Sequence, residues 1–244
     1  MSATSRSSSL QDIASGRIPP QLEEISLYAK ELEILFDDYL LTGGVVKVID
    51  DYRRSGQIPS ADYKAYIDSL TGDLQRWEKR ESYLRQVIRR IIDTLGGPVA
   101  WNTLKQETDL ASHNTVADYV NTLRDAFATI ILYHFDPSRS GPTFRKDKKI
   151  HFHDPFFFHA LHAWTKGGDP FELALGFLKD PRVRGHLVEG VVADHVIRLA
   201  FALSSQRSLF DYENMLFYWR STQAREVDFV LRMNGGSVPL EVKY

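Results

Sequence analysis

The sequence contains no cysteine, which excludes disulfides and thiolate metal sites. It contains no apolar run near the ~20 residues that a membrane-spanning helix needs. Nor does it contain a G-x-x-x-x-G-K-[ST] loop, so no ATP site is expected in this chain. The Ser-rich stretch Met1–Gly16 lacks the apolar centre of a signal peptide. Large net charge is missing too: the total is −2, which excludes a nucleic-acid polyelectrolyte. The balance is uneven, with −4 over residues 1–76, +3 over 77–150 and −1 over 151–244. What the chain does have is 43% hydrophobic and 12% aromatic residues, enough for real cores. A soluble protein with a cytoplasmic address and no membrane partner is the expectation.

Residues 1–18 read as a disordered tail. From Pro19, Leu22, Ile25, Leu32, Leu35, Phe36 and Tyr39 recur at helical spacing, and Gly43-Gly44 is a stop signal. Two further helical stretches, Val45–Tyr52 and one opening at Ser60, complete a helical segment over 19–76. The segment 77–166 reads differently. A helix through Tyr83, Val87 and Ile91 stops at Gly96-Gly97-Pro98, a short piece follows at Trp101–Glu107, and Ser112 caps a third helix. Thr129–Tyr133 and Lys148–His153 read as strands joined by a polar loop, Asp136–Asp147. Three helices and a hairpin with a basic tip form a winged-helix pattern. Beyond Gly167-Gly168-Asp169-Pro170, residues 170–244 hold a short helix, a long one from about Arg182 to Leu203, and three strands: Met215–Arg220, Glu226–Arg232 and Val238–Lys243. The fold class is α+β.

The residues that could carry chemistry are Glu189 on the long helix, Asp228 on the second terminal strand, and Glu241 with Lys243 on the third. Strand positions two apart share a face, so Glu241 and Lys243 project together and Asp228 is expected beside them. Two carboxylates at one point, Asp228 and Glu241, would bind Mg²⁺ through oxygen. The ion would polarise a phosphate and activate water, and Lys243 would steady the developing charge. Against this stands the ordinary half-exposed strand, whose alternation also produces E-x-K pairs.

Residues 187–199, Phe217-Tyr218-Trp219-Arg220, Arg225–Val230 and Glu241-Val242-Lys243-Tyr244 together resemble one known region. So do Tyr39–Gly44, Thr115–Tyr119 and Lys149–Phe156 upstream. The resemblance, over about residues 20–244, is to the C-terminal part of the archaeal and bacterial AAA+ ATPase-like family. There an ATPase domain is followed by a winged helix and a PD-(D/E)XK nuclease-like domain of unknown function. It implies that Glu189, Asp228, Glu241 and Lys243 fall on the nuclease-fold signature, and that 19–76 is the ATPase's helical lid. Two departures stand out: the phosphate loop is missing, and the chain stops one residue after the signature lysine. A fragment, a split gene product or a decayed copy is therefore expected, with an ATPase subunit or a missing N-terminal ATPase domain as partner.

DNA is the other expected partner. Ser112, Asn114 and Thr115 open the third helix, where a winged helix would meet phosphates or bases. Lys105, Arg145, Lys146, Lys148 and Lys149 would grip the backbone from the second helix and the hairpin. His151, His153, His159 and His162 suggest a metal cluster, but packing is the favoured reading because no other ligand is tied to them. Function thus divides into two readings. One is DNA-directed, Mg²⁺-dependent phosphodiester chemistry; the other is a non-catalytic interaction or regulatory arm of an AAA+ ATPase.

Overall fold

The computed structural model describes residues 24–204, 207–233 and 236–244; the tail expected over 1–18 lies outside them. The fold is α+β, with helices around one five-stranded sheet. The chain divides into two compact units, Met1–Tyr39 and Leu40–Tyr244. The boundary falls inside helix α1 (Ala29–Thr42), so the helical segment expected over 19–76 is split. In the described part of the first unit, Phe36 and Tyr39 stack with ring centroids 6.4 Å apart.

The second unit opens on a turn that the sequence marks with two glycines. Gly43 has φ +60, and a Cβ there would overlap the carboxylate of Asp154. That carboxylate joins two segments. One oxygen accepts the Gly44 N–H at 2.7 Å and the other accepts the Phe156 N–H at 2.8 Å. Asp154 is also the N-cap of helix α7 (Pro155–Lys166), which is the hub of the helical layer. Helix α2 (Val46–Ser55) and helix α3 (Ser60–Arg76) precede it in sequence. Tyr66 of α3 stacks on Phe157 at 4.2 Å, and Tyr63 packs on Phe156 at 4.9 Å. The ring of His159 donates from Nε2 to the Leu40 carbonyl at 2.9 Å. Helices α7, α8 (Pro170–Leu178) and α9 (Pro181–Leu203) all begin Asp-Pro, at Asp154, Asp169 and Asp180. The carboxylate accepts a first-turn N–H while proline presets φ, a cap stabilising each helix by about 1 kcal/mol.

Helices α4 (Glu81–Asp93), α5 (Trp101–Lys105) and α6 (His113–Asp125) are followed by strands β1 (Thr129–Asp136) and β2 (Gly141–Phe152). Val99, between α4 and α5, bridges to Lys148 of β2. The hairpin differs from the expected wing in two respects. Strand β2 begins earlier than expected, because Asp136 closes a tight turn by accepting from the N–H and hydroxyl of Ser138. Residues 144–147 then loop out where the register jumps between Tyr133↔Lys148 and His134↔Thr143.

The hairpin is also not free. Strand β1 runs parallel to β3 (Leu216–Arg220), which pairs antiparallel with β4 (Glu226–Met233), and β4 with β5 (Gly236–Leu240). The resulting order β2-β1-β3-β4-β5 places the hairpin and the terminal strands in one sheet. Helix α9 covers one face through Ala193 and Ala200, against Ile130, Leu132, Leu216, Tyr218, Phe229 and Leu231. Gly190 sets its close approach, since a Cβ there would stand 3.1 Å from the Phe152 carbonyl.

Gly43→Ala tests the turn. It combines an αL backbone with a clash against Asp154, so it should cost more than the ~1–2 kcal/mol of the left-handed conformation alone. A urea denaturation midpoint lowered accordingly is expected, and an unchanged midpoint would remove Asp154 as the joint.

Candidate functional site

The site grows from the phase of two strands. On β2, Lys149 is opposite Leu132, whose side chain lies in the core beneath α9, so Lys149 faces α9 as well. On β4, the pairing with β3 slips by one residue between Phe217↔Val230 and Trp219↔Val227. This bulge sends Val227 to the far face with Val230, and lets Glu226, Asp228 and Phe229 share the face beneath α9. Helix α9 contributes Glu189. Three carboxylates thus converge on one ammonium.

The Lys149 Nζ lies 2.6 Å from Glu226 Oε1, 3.3 Å from Glu189 Oε2 and 3.5 Å from Asp228 Oδ1. The lysine side chain is 2% exposed, whereas the carboxylates keep 17–23%. Burial disfavours the Lys149 ammonium, but Glu189, Glu226 and Asp228 outweigh it and hold its pKa above the ordinary value. Burial likewise pushes the Glu189 carboxyl up, and His186 with Lys149 brings it below the usual range. His186 stands one turn before Glu189, its Nδ1 3.6 Å from Oε1, in space left open by Gly96. His151, on the same strand as Lys149, is 1% exposed and has no hydrogen-bond partner at either ring nitrogen. Burial depresses its pKa to about 4.

The expected pairing of Asp228 with Glu241 needs correcting. Strand β5 ends at Leu240, short of the expected Lys243, because the Asp228 carboxylate takes the Val242 N–H at 2.9 Å in place of a backbone partner. Leu240 and Val242 pack on the core beneath α9, which turns Glu241 between them to the other side. Glu241 and Lys243 do project together, 3.8 Å apart, but into solvent. The structure therefore brings Glu189 and Asp228 together and leaves Glu241 and Lys243 outside. Divalent-metal ligation does not fit these residues: Asp228 spends one oxygen on a backbone N–H and the other on Lys149, which fills the point of convergence. Among the described residues no group of three or more His, Asp or Glu has metal-holding geometry.

The expected DNA-binding residues also scatter. Lys148 and Lys149 are buried, at 4% and 2% exposure. Lys148 lies over the Trp101 ring at 4.8 Å, and burial lowers its pKa. Both lysines were expected at a solvated wing, but the sheet and the Val99 bridge enclose them. Ser112 and Thr115 cap α6, with the Thr115 N–H donating to Ser112 Oγ at 3.1 Å. Asn114, Arg145 and Lys146 are exposed, and Lys105 is half-buried. Asp118 on α6 pairs with Lys79. Of the four histidines, His151 joins the lysine cluster, His153 bonds Asp194 at 2.9 Å, and His159 and His162 pack around Phe158 and Phe177.

The residues missed from sequence are Lys149 as the centre, with Glu226, His151 and His186. A signal existed: Lys149-x-His151 and Glu226-x-Asp228 each place two polar groups on one strand face, within runs otherwise apolar enough to be buried.

With the geometry in hand, the chain can be placed. Residues 33–167, over half of it, match a domain of unknown function, DUF8612. The chain belongs to that family. Residues 184–244 match a second domain of unknown function, DUF4143, which is commonly found in AAA-ATPase-associated proteins. No curated protein and no solved structure matches it. Among the described residues no helix is long and apolar enough to cross a membrane.

Two measurements test the cluster. Lys149→Met leaves three carboxylates facing one another and should destabilise the fold by about 3 kcal/mol or more in urea; a change within error would mean that the ion contacts are not maintained. Acid stability tests the buried histidines. His151 and His159 each bind a proton near 6.5 when unfolded but only near 4 when folded. The unfolded state therefore holds more protons between those values, and stability should fall as pH drops from about 6.5 to 4, by roughly 3 kcal/mol for each ring. The lowered Glu189 pKa adds a further loss as pH falls below about 4.5. His151→Leu should flatten the upper part of the profile, and a profile identical to that of the unsubstituted protein would show that the ring is not held neutral.

Proposed function

We propose that the chain is a non-catalytic interaction arm of an AAA-type ATPase. In this reading a helical lid-like segment precedes a winged helix and a PD-(D/E)XK-like sheet. The observation that carries it is the ammonium of Lys149 seated between Glu189, Glu226 and Asp228. An internal cation satisfies the acids that a nuclease would spend on Mg²⁺, and the E-x-K pair stands outside the cluster. The burial of Lys148 and Lys149 and the acidic residue Asp118 on α6 weigh against a phosphate-gripping wing. The match over 184–244 supplies the ATPase context.

The test has two arms. The purified chain should cleave neither plasmid nor single-stranded DNA in Mg²⁺ or Mn²⁺, and should show no calorimetric ATP binding. Affinity capture from its own cells should recover a protein bearing a phosphate-binding loop. Robust Mg²⁺-dependent cleavage that Asp228→Asn abolishes would overturn the reading in favour of the phosphodiesterase. Capture that recovers no phosphate-loop protein would remove the ATPase arm.

A further inference from the structure

The excursion of β2 at residues 144–147 and the turn after β3 border an open cavity of about 250 Å³, next to Glu226 of the lysine cluster. We propose that this cavity binds the phosphoryl end of a small phosphate monoester, with Lys146 and Arg220 as its cationic contacts.

Two cations converge there. Among the described residues Lys146 pairs with no carboxylate, and its Nζ lies 3.4 Å from His134 Nε2. That nitrogen is 3.0 Å from the Arg220 carbonyl. A neutral ring donates its proton to the carbonyl and so offers the ammonium no acceptor. Arg220 is scarcely better served. Its Nε stands 3.7 Å from Glu226, whose close partner is Lys149 at 2.6 Å.

The remaining lining suits a tetrahedral oxyanion. Ser221 and Thr222 follow Arg220 in the turn, and both line the cavity. Ser221 Oγ accepts the Arg225 N–H at 3.1 Å and keeps its own proton to donate. The ammonium, the guanidinium fork and two hydroxyls supply donors for several phosphoryl oxygens. The wall is held in place because the Tyr218 hydroxyl donates to the Asp147 carbonyl at 2.6 Å. Size limits the ligand. The volume lies below the roughly 300–1,000 Å³ of sites for drug-sized molecules, so a phosphoryl group with a few further atoms fits and a duplex backbone does not.

Calorimetry on the full chain with inorganic phosphate and with glycerol 3-phosphate tests this directly. Saturable binding in the millimolar range or tighter is expected. Lys146→Ala, at an exposed position, should weaken it at least tenfold, and Thr222→Val should weaken it less. Lys105→Ala should leave it unchanged, and a short DNA duplex should not compete. Absence of saturable phosphate binding, binding indifferent to Lys146→Ala, or displacement by duplex DNA would each overturn the assignment. Circular dichroism of each variant confirms that the comparison is between folded proteins.

Discussion

One ammonium fixes how the two halves of the sheet meet. Lys149 comes from the hairpin, Glu226 and Asp228 from the terminal meander, and Glu189 from the helix that lies across both. A lysine taken out of water costs several kcal/mol unless it keeps its charge and is fully paired. Pairing here is possible only if β1 and β3 lie side by side and β4 carries its bulge. The parallel contact Tyr133↔Phe217 and the slip between Phe217 and Trp219 are therefore parts of the same arrangement as the cluster.

The cluster also accounts for the chemistry that the site does not favour. Three acids around a lysine match the residue types of a metal-dependent phosphodiesterase, but their occupant differs. A fixed ammonium occupies the point where the carboxylates converge, whereas an exchangeable metal would leave open positions for water and substrate. Buried ion clusters often contribute more to specifying one arrangement than to net stability. That role would suit the interaction arm proposed above.

Much of the fold was legible in the sequence, because its signals are local. Helix stops at Gly43-Gly44 and Gly96-Gly97, the Ser112 cap and the alternation in Glu226–Arg232 each lie within a few residues of the structure they dictate. What was not legible is non-local. Nothing within Thr129–Tyr133 announces a parallel neighbour some eighty residues on, and so the hairpin reads as a free wing. The pair Lys148-Lys149 then reads as a basic tip rather than as two enclosed side chains. The bulge at Asp228 was hidden for a related reason: Glu226-Val227-Asp228-Phe229-Val230 alternates cleanly, yet the slip moves Val227 to the face of Val230. Strict alternation would also have extended β5 to Lys243 and set Glu241 beside Asp228. Instead the Asp228 carboxylate caps the strand at Val242.

The account stands on the protonation and confinement of the Lys149 ammonium. Nuclear magnetic resonance of the lysine side-chain nitrogens, followed against pH and against added Mg²⁺, reads both. The account predicts one ammonium whose protons exchange slowly, which titrates above the ordinary lysine value and which Mg²⁺ does not perturb. A Lys149 signal that exchanges and titrates like a solvated lysine, or that shifts together with Glu189 and Asp228 on addition of Mg²⁺, would contradict it.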